Sequence, residues 1–196
     1  MLPCFENLDI ILGSQSPRRK QLLDEIGLEY RALACPIEEI SPKHLNAIET
    51  AIFISELKAK AFDDQIFNKN SILITADTVV SQSDTLLGKP LNRKEAIEML
   101  QLLSGKCHEV ITAFTLRSKH KMKSFYAETK VYFKVLNDQE IDYYITNYQP
   151  FDKAGAYGIQ EWIGKIGIEK IQGSYFNVMG LPVHQVYKEL CTFELD

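Results

Sequence analysis

The segment SILITADTVV, residues 71–80, is the most informative stretch for the fold. Its apolar and β-branched side chains predict a buried strand that a single acid, Asp77, interrupts. Burying an unpaired carboxylate costs several kcal/mol even after the protein relaxes, so Asp77 must meet a cation. The candidates are a metal ion, Lys58 on a predicted helix and Lys89 in the segment LGKP. The alternative is that Asp77 simply forms a turn.

Strands and helices alternate on both sides of this segment. Short apolar or alternating runs predict strands in LDIILG (8–13), YRALA (30–34), HEVITAFTLRS (108–118) and KSFYAETKVYFKVL (123–136), the last two joined by a polar turn near 119–121. Capping and periodicity predict helices at 17–26, 46–65, 93–105, 138–148 and 183 to about 190. This order predicts an α/β fold, a mixed twisted sheet flanked by helices with a long central β-hairpin, in one domain spanning 1–196.

Two arginines stand at the start of the first predicted helix. In GSQSPRRKQLL (13–23), Ser16 predicts the N-cap and Pro17 the first helical residue. A helix N-terminus already favours anions, so Arg18 and Arg19 repel it and each other unless an anion is bound. Arg19 also shares the apolar face of the helix, one turn ahead of the core residues. We expect a bound phosphate here; the alternative is that each arginine pairs with a structural acid.

Paired acids follow the second predicted strand. Glu38 and Glu39 in PIEEI would form, together with Asp77, an oxygen-rich site suited to Mg²⁺ or Mn²⁺. The alternative is that both acids are solvated. Thr78, directly after Asp77, offers a hydroxyl to a metal, a water or a substrate.

A glycine-containing segment, DKAGAYGIQ (152–160), is the last candidate site. Gly155 and Gly158 permit close approach of the backbone to a ligand. The amide of Gln160 pairs a donor with an acceptor and is suited to reading the edge of a nucleobase. The alternative is an ordinary glycine turn.

Composition excludes several classes of function. The net charge is −4 and the sequence pI about 5.6, which disfavours extended nucleic acid as a partner because phosphate neutralisation supplies most of that affinity. No apolar run approaches the about 20 residues of a membrane span, and the N-terminal segment lacks the basic region of a secretory leader. Four scattered cysteines without a CxxC pair predict reduced thiols and a cytoplasmic protein.

Taken together, these segments resemble the Maf family of nucleoside triphosphate pyrophosphatases. SQSPRRKQLL is similar to the family's opening motif, and IEE, ELKAKA, TADTVV, GKP, DKAGAYGIQ and IQGSYFNVMGLPV follow in family order. The resemblance spans about residues 11–183. It implies a Maf/ITPase-like fold, hydrolysis between the α and β phosphates, a divalent metal cation (Mg²⁺ or Mn²⁺) and a homodimer. The forms ADTVV and AGAYGIQ are similar to the branch that prefers dTTP and UTP.

The resemblance also assigns roles by position. It implies catalytic roles for Asp77, Arg19, Lys58 and Lys89. It implies substrate binding by Ser14, Ser16, Arg18, Thr78 and Gln160. It implies metal binding by Glu39 and Asp77. Asp77 either accepts a proton from the attacking water or orients that water. A non-catalytic nucleotide-binding regulator of cell division is the alternative function, and a kinase-like phosphoryl transferase is a third.

Overall fold

The computed structural model describes residues 5–34, 37, 42, 44–83 and 85–195. The strands are β1 (Asp9–Leu12), β2 (Arg31–Ala32), β3 (Ser71–Gln82), β4 (Thr85–Leu87), β5 (Cys107–Arg117), β6 (Met122–Phe133) and β7 (Ile168–Gln172). The helices are α1 (Pro17–Glu25), α2 (Ala47–Lys60), α3 (Arg93–Leu103), α4 (Asp138–Tyr148), α5 (Trp162–Gly167), α6 (Tyr175–Met179) and α7 (Val183–Thr192).

Strand β3 lies in the middle of the sheet. The strand order is β2-β1-β3-β5-β6-β7, and β4 pairs with the end of β3. β1 runs parallel to β3, whereas β4 and β5 run antiparallel to it. Every residue of β3 except Thr78 is buried. The predicted buried strand and the mixed α/β sheet are therefore confirmed.

The long hairpin is also confirmed. β5 and β6 pair in continuous register from Cys107 opposite Tyr132 to Arg117 opposite Met122. The turn closes where the backbone N–H of Ser118 donates to the carbonyl of Lys121 at 2.9 Å. The polar residues near 119–121 predict the position of this turn correctly.

One predicted helix is too long. α2 begins as expected, with a capping box between Asn46 and Glu49, but it ends at Lys60 rather than at Gln65. The Asp63 side chain accepts a hydrogen bond from the backbone N–H of Gln65 and starts a separate 3-10 turn, Asp64–Ile66. Side-chain capping by Asp competes with continued helix, which is the reason for the error.

The sequence predictions omit four short elements and lengthen a fifth. The omitted elements are β4, α5, β7 and α6, with three to six residues each. β2 has two exposed residues where a five-residue strand was predicted. Such elements are too short to show periodicity, and pairing or packing stabilises them; Ile171 of β7, for example, pairs with Val131 of β6.

The two faces of the sheet carry different neighbours. α2 packs on one face, where Thr75 donates to the Ser55 carbonyl at 2.7 Å. The main core, with residues of α1, α3, α4 and α7, covers the other face. Because successive strand residues point to opposite faces, Asp77 of β3 lies on the α2 face and Thr78 on the main-core face.

Candidate active site

A gap in the pairing of β3 opens a cavity of about 630 Å³. On the side of β3 away from β5, β1 pairs with residues 71–74 and β4 with residues 80–82. Within the described part of the chain, no strand covers residues 75–79 on that side. Asp77 and Thr78 can therefore both line the cavity, although they belong to opposite faces of the sheet.

The cavity brings together every predicted site residue that the structure describes. These residues are Ser14, Ser16, Arg18, Arg19, Lys58, Asp77, Thr78, Lys89 and Gln160. Glu39, the predicted second metal ligand, lies outside the described residues, as does its neighbour Glu38. The roles of all these residues stay predictions, but their convergence from distant segments is a finding.

Asp77 pairs with a lysine inside the cavity. The ammonium of Lys58 donates to Asp77 Oδ1 at 2.8 Å and to the carbonyl of Ala76 at 3.3 Å. Both charged residues are buried. Asp77 lies opposite Ala113 in mid-strand, so the turn-forming alternative is wrong. Lys58 therefore supplies a cation that the buried carboxylate requires.

Arg19 is held in place by oxygens from three segments. Its Nε donates to the Gly180 carbonyl at 2.9 Å, and its two terminal nitrogens donate to Ser14 Oγ at 3.4 Å and Thr78 Oγ1 at 3.2 Å. The hydroxyl of Thr78 is in turn 3.0 Å from that of Thr112. This arrangement fixes the guanidinium against the inner wall of the cavity.

The mouth of α1 is built as the sequence predicts, with one difference. Ser16 occupies the N-cap position and Pro17 begins the helix, but the Ser16 side chain makes no capping hydrogen bond. Instead, the backbone N–H of Ser16 donates to Ser14 Oγ at 3.2 Å. The Ser16 side chain is thus available to a ligand at the helix N-terminus.

Arg18 follows the structural alternative that the sequence left open. Its NH1 donates to Asp152 Oδ2 at 3.0 Å near the cavity rim. Burial would raise the pKa of Asp152, but hydrogen bonds and charges from Lys153 and Arg18 outweigh it and hold that pKa below its usual value. The two adjacent arginines therefore differ: Arg19 lies at the inner wall, and Arg18 joins a salt bridge at the rim.

The far side of the cavity is formed by the segment 152–160. Gly155 has φ +68°, a left-handed conformation that favours glycine, and its N–H donates to the Gly88 carbonyl beside Lys89 at 3.1 Å. The Gln160 Oε1 atom is buried and has no hydrogen-bond partner among the described residues. A buried carbonyl oxygen without a partner costs free energy, so Gln160 is an acceptor that a ligand could satisfy.

Sequence reasoning missed the groups that support these residues. The hydroxyl of Tyr144 on α4 donates a hydrogen bond to Glu161 behind the segment 152–160. Asn177 of α6 donates to the Val110 carbonyl and to Thr129 below Thr112. The segment DKAGAYGIQ contains two of the charged groups in this support, Asp152 and Lys153. No pattern in the sequence relates the segment to Tyr144, which lies on the preceding helix.

A buried histidine supports the same segment. His108 Nε2 lies 2.7 Å from the hydroxyl of Tyr157, and its ring packs edge-on against those of Tyr157 and Phe133. Burial lowers the pKa of His108 to about 4. The imidazole is thus neutral at pH 7, and its position one layer behind the cavity wall indicates a structural role.

The described residues contain neither a membrane-spanning helix nor a cluster of metal-ligating side chains. None of their helices is long and apolar enough to cross a membrane. They also contain no group of three or more His, Cys, Asp or Glu side chains placed to hold a metal ion.

Arg19, Lys58 and Asp77 all line the cavity beside the gap in the pairing of β3, and the chain belongs to the Maf family. Residues 9–193 match the family described as Maf-like protein. The chain is 48% identical over 186 residues to the dTTP/UTP pyrophosphatase of Christiangramia forsetii, which covers 95% of this chain and 94% of the relative. It is 50% identical over 191 residues to the dTTP/UTP pyrophosphatase of Phocaeicola vulgatus, covering 97% and 98%.

A solved structure is similar only at a distance. The Ham1 protein of Staphylococcus aureus matches with a TM-score of 0.36 and 14% identity, covering 64% of this chain and 71% of that one. At this level the likeness carries no argument about the site.

Proposed function

We propose that this protein is a nucleoside triphosphate pyrophosphatase that hydrolyses the α–β phosphoanhydride bond of dTTP and UTP. Its products are the nucleoside monophosphate and pyrophosphate. The observation that carries the proposal is one cavity lined both by three charged groups from distant segments, Arg19, Lys58 and Asp77, and by Gln160. The buried Oε1 of Gln160 has no hydrogen-bond partner among the described residues. Family membership and relatives named dTTP/UTP pyrophosphatase support the same reading.

The triphosphate binds at the phosphate end of the cavity, which we define as Ser16, Arg19, Lys58, Asp77 and Lys89. Cationic side chains and the N-terminus of α1 attract its negative charge. Arg19, already fixed by three hydrogen bonds, needs little reorganisation when charge develops on the leaving pyrophosphate. Preorganised cations of this kind lower the barrier more than flexible ones do.

Hydrolysis requires a water to attack the α-phosphorus as the bond from that phosphorus to the bridging oxygen breaks. Asp77 is the group in this cavity that orients the water or accepts its proton. Lys58 holds the Asp77 carboxylate through Oδ1, which fixes its direction. The leaving pyrophosphate departs with the bridging oxygen and the electron pair of the broken bond, next to the lysines and Arg19.

The oxygen donors in the cavity fit a hard divalent cation. Mg²⁺ in nucleotide enzymes is bound by one or two carboxylates together with substrate phosphates and water. Asp77, the proposed ligand among the described residues, would therefore be enough to bind Mg²⁺ once the triphosphate is present. Asp77 would hold Mg²⁺ or Mn²⁺, with Glu39 as the second proposed ligand. When bound, the cation neutralises phosphate charge and lowers the pKa of water. Asp77 would then position the water rather than act alone as its base.

The base binds at the base end of the cavity, which we define as residues 155–160. Uracil and thymine share the same O2, N3–H and O4 edge, so one hydrogen-bonding side chain can recognise both bases. The Oε1 atom of Gln160, which has no hydrogen-bond partner in the described part of the chain, is suited to accept a hydrogen bond from N3–H of the base. Arg18 and Thr78 are the other proposed determinants of substrate choice.

The proposal extends to assembly and location. We expect a homodimer in the cytoplasm, with no extended nucleic acid as partner, on the grounds of the family resemblance, the charge of −4 and the cysteine pattern. Light scattering on the purified protein tests the dimer; a monomer at micromolar concentration would contradict it.

A pyrophosphate-release assay over a panel of nucleoside triphosphates with Mg²⁺ or Mn²⁺ tests the function. We expect UTP and dTTP to be hydrolysed faster than ATP and GTP, with the monophosphate as co-product. Release of inorganic phosphate and a nucleoside diphosphate would contradict the proposal. Tight nucleotide binding without any turnover would favour the alternative, a non-catalytic regulator of cell division.

A further inference from the structure

A bonded chain of side chains lies behind the base end of the cavity. We call it the loop network; its members are Arg18, Asp152, Lys153, Glu161 and Tyr144. Arg18 donates to one Asp152 oxygen at 3.0 Å, and Lys153 Nζ donates to the other at 2.6 Å. Lys153 also contacts Glu161 Oε1 at 3.1 Å, and the Tyr144 hydroxyl donates to Glu161 Oε2.

Tyr144 connects this network to the backbone of the base end. Its hydroxyl accepts a hydrogen bond from the N–H of Gly158 at 3.0 Å, and its side chain is completely buried in α4. One hydroxyl therefore joins a rigid helix to Gly158, two residues before Gln160, and to Glu161, the residue after Gln160.

The network also packs directly on this backbone. A Cβ atom on Gly158 would lie 2.8 Å from Glu161 Cδ and 3.1 Å from Lys153 Cε, so only glycine fits without displacement. Lys153 is 8% exposed, and removing a partner from a buried charge leaves an uncompensated ion. We therefore expect the loss of Lys153, Glu161 or the Tyr144 hydroxyl to displace the segment that carries Gln160.

We propose that Tyr144, Lys153 and Glu161 are positioning residues that set the place of Gln160 and thereby the choice of base. The inference rests on the proposed function, because it assigns the supports of the proposed base reader. Because the network includes Arg18 on α1, it also connects the base end to the N-terminus of α1, where we propose that phosphate binds.

Tyr144→Phe is the most conservative test, because it deletes one hydroxyl and keeps the buried ring. Steady-state kinetics with UTP and CTP would be measured, since these two bases differ at the N3 and C4 edge. We expect kcat for UTP to stay within about threefold of wild type while KM rises roughly tenfold, the effect of losing about one hydrogen bond between Gln160 and the base. The UTP/CTP ratio of kcat/KM should fall by about fivefold or more.

Tyr148→Phe is the matched control. Tyr148 lies on the same helix, and its ring stacks on that of Tyr144 with centroids 5.2 Å apart, but it is not part of the loop network. We expect wild-type kinetics for this variant. Thermal unfolding of both variants identifies any loss of fold, and Glu161→Gln, which keeps the side-chain volume, replaces Tyr144→Phe if the latter does not fold.

The double variant Tyr144→Phe/Gln160→Ala tests whether the network acts through Gln160. Its UTP/CTP ratio should equal that of Gln160→Ala alone. An unchanged ratio in Tyr144→Phe, or an equal loss of kcat for UTP and CTP, would overturn this inference while leaving the proposed function in place. If the wild-type protein releases no pyrophosphate from UTP, the proposed function fails first and this inference with it.

Discussion

Three of the five residues at the phosphate end of the cavity lie in helices or strands, whereas the base end is carried by a loop. Asp77 lies in mid-β3, Lys58 in the last turn of α2 and Arg19 in the first turn of α1. The base end contains Gly155 and Ala156, both with positive φ, in a short 3-10 turn. Regular elements position charged groups rigidly, so we expect the phosphate end to carry the chemistry and the base end to set the choice of base.

The support of the two ends differs in the same way. Arg19 and Lys58 are held by bonds to the backbone carbonyls of Gly180 and Ala76 as well as to side chains. The base end instead contacts the loop network of four charged side chains and Tyr144, whose hydroxyl accepts from the N–H of Gly158. We therefore expect substitutions at the phosphate end to lower kcat for all nucleotides, and substitutions at the base end to change their relative rates.

Asp77→Asn should give the largest effect. The variant keeps the shape of the side chain but cannot accept a proton. Its loss of charge also weakens the binding of a divalent cation. We expect kcat for UTP to fall by about 10²–10⁴-fold, the usual range for a positioned acid–base group. Pyrophosphate release in saturating Mg²⁺ measures it. Near-normal turnover under these conditions would refute both proposed roles of Asp77.

Arg19→Lys should give the next effect, and Arg18→Lys is its matched control one residue away. Lys keeps the charge at position 19 but cannot reproduce the three-way hydrogen bonding of the guanidinium. We expect kcat/KM to fall by roughly 10²–10³-fold at position 19, in the range for loss of a preorganised electrostatic donor. At position 18 we expect a change mainly in the ratio among nucleotides. Equal losses at both positions would contradict the separation of the arginines.

Some parts of the site can be predicted from the sequence, and others depend on how the chain folds. β3, its interrupting Asp77 and the start of α1 follow from local patterns, because hydrophobic runs, N-caps and prolines act within a few residues. The pairing of Lys58 with Asp77 could be named only as one of three options, since it depends on how α2 packs on the sheet. The bond from Arg19 to Gly180 spans 161 positions, and no spacing rule predicts it.

The base end was the least predictable region for the same reason. Gln160 could be proposed from its amide chemistry, but its supports could not. Tyr144 is identified by its contact with Glu161 and Gly158, which exists only once α4 packs behind the loop. The short elements α5, β7 and α6 were missed because tertiary contacts stabilise them more than local propensity does.

Gln160→Ala should have a smaller effect on rate and a larger one on selectivity. Loss of one hydrogen bond to a neutral base corresponds to about 1 kcal/mol, or roughly fivefold to tenfold in affinity. We expect the ratio of kcat/KM for pyrimidine over purine triphosphates to fall by that factor, while kcat for UTP changes little. An unchanged ratio would show that another group reads the base.

The pH dependence of stability tests the layer behind the base end. The pKa of His108 is about 4 in the folded protein and 6.5 when unperturbed, so the unfolded chain binds more protons between these values. The contribution of neutral His108 to stability is fully present above pH 6.5 and is lost as pH falls toward 4. Over this interval the loss amounts to about 3 kcal/mol at most.

Urea unfolding of the wild type and of His108→Phe at pH 7 and pH 4.5 measures this term. The substitution removes the titrating ring but also its contact with the Tyr157 hydroxyl, so the variant should be less stable at pH 7. Its stability should fall less between the two pH values than that of the wild type. Parallel losses in the two proteins would contradict the assignment to His108.

Hydrolysis of UTP in ¹⁸O-labelled water tests most directly whether the phosphate end directs water to the α-phosphorus. Mass spectrometry of the products after a single turnover identifies both the bond broken and the atom attacked. Our account predicts UMP that carries one ¹⁸O and pyrophosphate that carries none. Label in the pyrophosphate, or UDP with labelled inorganic phosphate, would contradict it.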